Sequence, residues 1–286
     1  MTTAEPTRIA AFFDLDKTVI ARSSALAFTR PFYEGGLLSR RTMLRSGIAQ
    51  LQFLLTAADE NHVDKLRKHV TDMSTGWDAA QVRSIVAETL DDVVRPVVFP
   101  EALELIEQHK EAGHDVVLIS ASGIEMVEPI GDLLGVDIVR ASIMRVVDGQ
   151  YSGDLDFYCY GAEKATVLED LATERGYDLS RCYAYSDSAT DLPMLDAVGR
   201  PAVVNPGKPL RRHAADNGWD ILDFATPAAA SHRPSPSVIG RGALCATGIG
   251  AIAAAAVMYH HRHQALSPAV SCRLIDSDRF LPNPLQ

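Results

Sequence analysis

The stretch from Arg8 to Ile20, R-I-A-A-F-F-D-L-D-K-T-V-I, constrains this chain more than any other. Five apolar residues, Ile9 to Phe13, run without interruption and stop at Asp14. An unbroken run, in place of alternation, is what a strand buried on both faces requires, and such strands belong to parallel sheets covered by helices. Two carboxylates, Asp14 and Asp16, follow at once, with Lys17 and Thr18 behind them. In open parallel sheets chemistry sits just beyond the carboxyl ends of strands. Like charges packed there repel, and a divalent cation is the usual reason a site holds both. A strand followed by an acidic turn is the plain alternative, so the rest of the chain has to decide.

From Ala21 to about Arg95 the pattern is helical throughout. Val63, Leu66, Val70 and Met73 recur at spacings of three and four, and Val82, Ile85, Val86, Leu90, Val93 and Val94 nearly do the same. From Pro96 the rhythm changes to alternating helix and strand. A helix from Glu101 to Ala112 ends at Gly113, the strand Asp115–Ser120 follows, and a helix from Gly123 runs to about Leu134, ended by Gly135. Val147-Asp148-Gly149-Gln150 carries the Asp-Gly signal of a tight hairpin. A helix from Ala162 to Arg175 stops at Gly176, and the strand Cys182–Tyr185 comes next. A short helix around Leu192–Val198, the strand Pro201–Asn205, a helix Pro209–Asn217 and an apolar piece at Ile221 and Leu222 complete the alternation. The pattern predicts an α/β fold, a doubly wound parallel sheet with helices on both faces.

Three further stretches have the chemistry that Asp14 and Asp16 invite. V-V-L-I-S-A-S ends a strand at Ser120, where a hydroxyl and backbone N–H groups can hold phosphoryl oxygens. Lys164, in Y-G-A-E-K-A at the start of a helix, can neutralise charge on a nucleophile and a transferring phosphate. In A-Y-S-D-S-A-T-D-L-P-M-L, Asp187 and Asp191 follow a strand and can complete a magnesium site. Any single serine or lysine is ordinarily structural; their order along the chain gives them weight.

D-L-D-K-T-V, S-A-S, Lys164 and S-D-S-x-x-D-L-P-M-L, taken together, resemble the haloacid dehalogenase-like hydrolase superfamily over about Arg8 to Phe224, nearest its phosphoserine-phosphatase-like branch. The resemblance implies a Rossmann-like core (1–20 and 96–224) with an inserted helical-bundle cap (21–95). It implies a phosphoric monoester hydrolase in which Asp14 is the nucleophile, forming an aspartyl-phosphate. Asp16 would be the acid that protonates the leaving oxygen and the base that activates water. Thr18 and Ser120 would contact phosphate, with Lys164 balancing its charge. Mg²⁺ would be held by the Asp14 carboxylate, the Asp16 backbone carbonyl and the Asp187 carboxylate, and Asp191 would orient Lys164 or a metal-bound water. Val19 in place of glycine separates the chain from the D-K-T-G-T of cation-pumping ATPases. A dehalogenase would not need Asp16. True phosphoserine phosphatases carry, a few residues past the first motif, a glutamate for the substrate ammonium; here the matching place is near Ser23, and no acidic residue appears before Glu34. Arg22, Arg30, Arg40, Arg41 and Arg45 would favour an anionic substrate body, or simply form a solvated helical face.

The net charge of −10 is uneven: residues 227–286 carry five Arg against two Asp, while the rest carries 22 basic against 35 acidic residues. An acidic body excludes nucleic acid as a partner. Cys159, Cys182, Cys245 and Cys272 show neither metal nor disulfide spacing. Met1–Thr7 is short and polar, unlike a secretory signal, so the catalytic body is expected in the cytoplasm. Residues 225–237 read as a linker, and 238–286 as a tail whose apolar segment 242–259 fits either a single membrane-spanning helix or a helix docked on protein. Insertion would anchor the enzyme to the inner face of the plasma membrane. Two functions stand side by side: a Mg²⁺-dependent phosphatase of a small-molecule phosphate ester, phosphoserine among the candidates, and a catalytically silent scaffold of the same fold tethered to a membrane.

Overall fold

The computed structural model describes residues 8–39 and 71–227. The stripe Val63, Leu66 and Val70, the arginines Arg40, Arg41 and Arg45, and the tail with its 242–259 segment lie outside the described residues. Among the described residues no helix is long and apolar enough to cross a membrane.

Seven strands form one sheet in the order β4-β3-β2-β1-β5-β6-β7. Central β1 (Ala10–Asp14) is buried at all five positions and pairs in parallel with β2 (Asp115–Gly123) and β5 (Tyr183–Ser186). β3 (Ile138–Val147) continues parallel beside β2; β6 (Arg200–Val204) and β7 (Asp220–Leu222) continue beyond β5. Because strand side chains alternate, Ala11 and Phe13 enter one core and Ala10 and Phe12 the other.

α1 (Ser24–Ala27), α2 (Thr29–Glu34) and α3 (Ala79–Val93) come from the inserted segment, followed by α4 (Pro100–Glu111) and α5 (Ile124–Leu134). Val82, Val86, Ile106, Val127 and Ile130 from this group pack on the Phe13 face. α6 (Ala162–Arg175), α7 (Leu192–Asp196) and α8 (Lys208–Asn217) cover the Phe12 face through Leu168, Leu171, Met194, Leu195 and Leu210. As expected, α5 and α6 end on the left-handed Gly135 and Gly176. The chain order reverses at β1, so the carboxyl ends of β1 and β5 form the topological switch point where doubly wound folds bind ligands.

The doubly wound parallel sheet is as expected, and the expected hairpin adds β4 (Gln150–Phe157), which returns antiparallel along β3 at the edge. Asp148 and Gly149 have φ of 51° and 83°, the left-handed pair a two-residue hairpin demands. One expectation needs correction, that the inserted segment is helical throughout: residues 35–39 and 75–78 form turns and an isolated bridge. The second of these meets the hairpin tip, where Gly149 O accepts the Ala79 N–H at 3.0 Å and Trp77 O accepts the Tyr151 N–H at 2.9 Å. The hairpin thus reaches past the sheet to hold the inserted segment. On the other side, Ala21 N–H donates to Val97 O at 2.8 Å and Phe99 N–H to Val19 O at 3.0 Å, tying together the two points where that segment leaves and rejoins the core.

Candidate active site

The acidic motif after β1 is shaped by a tight turn. Leu15 O accepts from the backbone N–H groups of Val19 and Ile20 at 2.9 and 3.1 Å, and Lys17 takes a left-handed φ of 65°. Asp14 ends the strand and is 6% exposed; Thr18 is 1% exposed. Thr18 Oγ1 accepts the backbone N–H of Asp187 at 2.9 Å, so the loop beyond β5 is fastened to the loop beyond β1.

Lys164, in the first turn of α6, is 2% exposed and reaches across the sheet end. Its Nζ donates to Asp14 Oδ1 at 2.6 Å and to Asp191 Oδ2 at 2.8 Å. Asp191 Oδ2 also accepts the Ser186 hydroxyl at 2.7 Å, and Ser186 Oγ in turn accepts the Ser188 N–H at 3.1 Å. Asp16 has different partners: Oδ1 accepts the Ser24 N–H at 2.8 Å and Oδ2 the Ser122 hydroxyl at 3.2 Å.

Electrostatics follow from burial. Burial pulls Lys164 down, but Asp14 and Asp191 outweigh that and hold it above the usual lysine range. Burial pushes the Asp14 carboxyl up to about 7 against the opposing pull of Lys164, with Asp191 and Asp16 adding to the rise. Asp16 is raised by burial and partly restored by its hydrogen bonds from Ser24 and Ser122. Burial also lifts Asp187 to about 6, with Lys17 opposing. One buried ammonium therefore serves four neighbouring carboxylates, and the site is short of positive charge.

Among the described residues no group of three or more His, Cys, Asp or Glu side chains is disposed to hold a metal. The set to be weighed is smaller: the Asp14 and Asp187 carboxylates and the Asp16 backbone carbonyl. These are hard oxygen donors of the kind Mg²⁺ takes, with waters and phosphate oxygens as further ligands. Two carboxylates lifted by burial are groups that a divalent charge would relieve, so the donor set fits the ion.

Of the residues singled out in the sequence, Asp14, Lys164 and Asp191 touch directly, and Thr18 and Asp187 are bonded through the backbone. Ser120 is 1% exposed in β2, at the last regular pair before the register shift, where its Oγ accepts the Ser122 N–H at 3.1 Å. Sequence reasoning missed Ser24, Ser122 and Ser186. Ser122 and Ser186 both lie inside the motifs S-A-S and S-D-S, which was the available signal.

Fold and site define a doubly wound α/β protein whose charged side chains converge at its switch point. The family model for haloacid dehalogenase-like hydrolases matches residues 11–196. A probable phosphatase of Mycobacterium tuberculosis is 54% identical over 90% of this chain and 90% of its own length. The phosphoserine phosphatase SerB1 of the same species is 34% identical over 82% of this chain and 77% of its own. Among solved structures, an apo phosphoserine phosphatase superposes with a TM-score of 0.55 at 20% identity, covering 76% of this chain and 93% of that one, a likeness of fold. The chain belongs to the haloacid dehalogenase-like hydrolase family, with its resemblance directed to the phosphoserine-phosphatase branch.

Proposed function

We propose that the chain is a Mg²⁺-dependent phosphatase of a small-molecule phosphate monoester, working through an aspartyl-phosphate on Asp14. One observation carries this reading: Lys164 is buried between Asp14 and Asp191, so the Asp14 carboxylate is held by a fixed cation at the carboxyl end of the central strand. Phosphoryl transfer is mainly a matter of positioning and charge neutralisation, and a carboxylate so held is a nucleophile with both supplied. Asp14 attacks phosphorus and the ester oxygen departs with a proton from Asp16. The ionised Asp16 then takes a proton from the water that opens the acyl-phosphate. Lys164 holds one Asp14 oxygen throughout, and Asp191 and Ser186 hold Lys164. The hydroxyls of Thr18 and Ser120 line the phosphate position. A Mg²⁺ ion held by Asp14, the Asp16 carbonyl and Asp187 would neutralise the equatorial phosphate oxygens.

Asp16 distinguishes this chemistry from dehalogenation, since a halide leaves without a proton and an alkoxide does not. The relatives' names, a probable phosphatase and a phosphoserine phosphatase, support the phosphoester class. Phosphoserine itself is the weaker candidate, because Ser23 stands where an ammonium-binding glutamate is expected. Residues 21–95 then act as the cap over the site, tied to the core through Ala21, Val97 and the hairpin tip.

The test is hydrolysis of p-nitrophenyl phosphate and a panel of phosphate esters by the full chain. Turnover should require Mg²⁺, vanish with EDTA, and fall about 10³-fold or more in Asp14→Asn. A folded protein that turns over no member of the panel with Mg²⁺ present would favour the scaffold instead.

A further inference from the structure

The geometry points to Ser122, backed by Ser24, as the residue that aims Asp16 at the leaving oxygen, and hence to a site built for alkyl phosphates, whose alkoxide cannot leave without a proton. This rests on the phosphatase reading and concerns how its acid is held.

A lone aspartate on a turn can rotate about two side-chain bonds. Here both carboxyl oxygens are taken: Oδ1 by the Ser24 N–H at 2.8 Å and Oδ2 by the Ser122 hydroxyl at 3.2 Å. Two anchors on separate oxygens fix the carboxyl plane, while each oxygen keeps a further lone pair for the substrate. The anchors are themselves fixed. Ser24 and Ser122 share a hydrogen bond of 2.7 Å between their hydroxyls, and Ser24 is fully buried. Ser122 N–H donates to Ser120 Oγ at 3.1 Å. Behind them, Ser142 Oγ donates to Ala121 O at 2.7 Å and accepts the Cys159 N–H at 3.1 Å.

The backbone explains why Ser122 can do this. The β2–β3 register shifts between Ser120 and Gly123, an irregularity that leaves Ala121 and Ser122 out of the ladder before Gly123 pairs with Ser142. Such bulges re-aim side chains beside active sites. The Ala121 carbonyl, freed from regular pairing, is caught by Ser142, and Ser122 is left facing Asp16. The contact joins residues 106 apart in sequence and connects the first motif to the second. Ser122 is a positioning residue: it acts through Asp16, not on phosphorus.

The test compares leaving groups. p-Nitrophenolate departs with little need of a proton, whereas an alkoxide depends on the full contribution of the general acid, about 10²- to 10⁴-fold. In the full chain with Mg²⁺, kcat/KM, which reports the step in which the ester oxygen departs and not the later hydrolysis, is measured for p-nitrophenyl phosphate and for a series of simple alkyl phosphates, wild type against Ser122→Ala. The ratio of alkyl to aryl kcat/KM should drop about tenfold in Ser122→Ala, with Ser122→Thr recovering part of it. Ser24→Ala should shift the ratio in the same direction and serves alone should Ser122→Ala not fold. Equal losses on both substrates would reduce Ser122 to a structural role and overturn the inference. So would a wild type that cleaves the aryl ester but no alkyl ester, a result that leaves the phosphatase reading intact. A wild type inactive on both overturns the reading itself.

Discussion

Thr18 Oγ1 accepts the backbone N–H of Asp187 across 2.9 Å, joining the loop after β1 to the loop after β5 although the two residues stand 169 apart in sequence. The Thr18 side chain is almost wholly buried. Replacing Thr18 by Val keeps the volume and removes the hydroxyl that joins the two loops, at a cost of about 1–3 kcal/mol. Activity should fall with it, since the Asp187 loop is released. Thr18→Ser should retain most of both. Urea midpoints and kcat for the two variants check this; equal stability of the Val and Ser variants would contradict it.

Lys164 gives a sharper case. Its ammonium lies between Asp14 and Asp191, both buried. Removing one member of a buried ion pair strands the others, and losses of about 3–5 kcal/mol are usual. Lys164→Met should therefore be inactive and markedly less stable than wild type. Asp191→Asn should be milder, because Asp14 still faces the ammonium and Ser186 can still bond the amide. Chemical denaturation of both variants gives the order, and Lys164→Met matching wild-type stability would refute it.

Gly199 was not singled out in the sequence, yet its place is restrictive. A Cβ added there would lie 1.7 Å from the Ser180 backbone oxygen, and Gly199 N–H donates to Leu179 O at 2.8 Å. No rotamer change can relieve a clash with backbone. Gly199→Ala should destabilise by about 1–3 kcal/mol or more through a shift of the turn that leads into β5. An unchanged melting midpoint would count against this packing.

Legibility followed the range of the interactions. β1 could be read because Ile9–Phe13 is apolar without interruption, and the ends of α5 and α6 because Gly135 and Gly176 lie where helices stop. That Asp14, Lys164 and Asp191 meet, with the Asp187 loop fastened beside them, could be read because motif order stands in for proximity. β3 and β4 could not, apart from their Asp-Gly turn. Arg140 and Arg145 interrupt β3, and its outer end, with Val146 and Val147 exposed, projects beyond the sheet to meet the inserted segment. Partners of Asp16 such as Ser122 were hidden for a related reason: a serine's role here is decided by a strand irregularity that no local pattern announces.

His109 sets a pH dependence apart from the site. Its Nε2 is 2.8 Å from the Tyr185 hydroxyl, its Nδ1 is 2.9 Å from Nδ1 of His114, and its ring packs edge-on to Phe13. Burial pushes His109 down from 6.5 to about 4, with His114 adding to the effect. The unfolded chain therefore binds the proton more readily between those values. The stability contributed by neutral His109 is complete above about pH 6.5 and is lost as pH falls towards 4. Buried Asp14 and Asp187, raised instead, act with the opposite sign. The informative quantity is thus the difference between wild type and His109→Gln. Wild type should lose urea resistance relative to the variant on acidification through that window; parallel curves would refute the assignment.

Magnesium should couple to the same carboxylates in a way that reports its location. Asp14 and Asp187 stand at about 7 and about 6, raised chiefly by burial, and a carboxylate must lose its proton before it binds a cation. Mg²⁺ and protons therefore compete, and affinity should rise as pH climbs through the interval from about 6 to 7. An ion bound only by the folded state adds about 2.7 kcal/mol when present at a hundred times its dissociation constant. The Mg²⁺-induced rise in melting temperature should accordingly be larger at about pH 8 than at about pH 5.5, where protons compete more strongly for both carboxylates. Asp187→Asn should abolish most of that rise while leaving the Lys164–Asp14 contact in place. A rise independent of pH, or one that survives in Asp187→Asn, would put the ion elsewhere on the chain and remove Asp187 from its ligands.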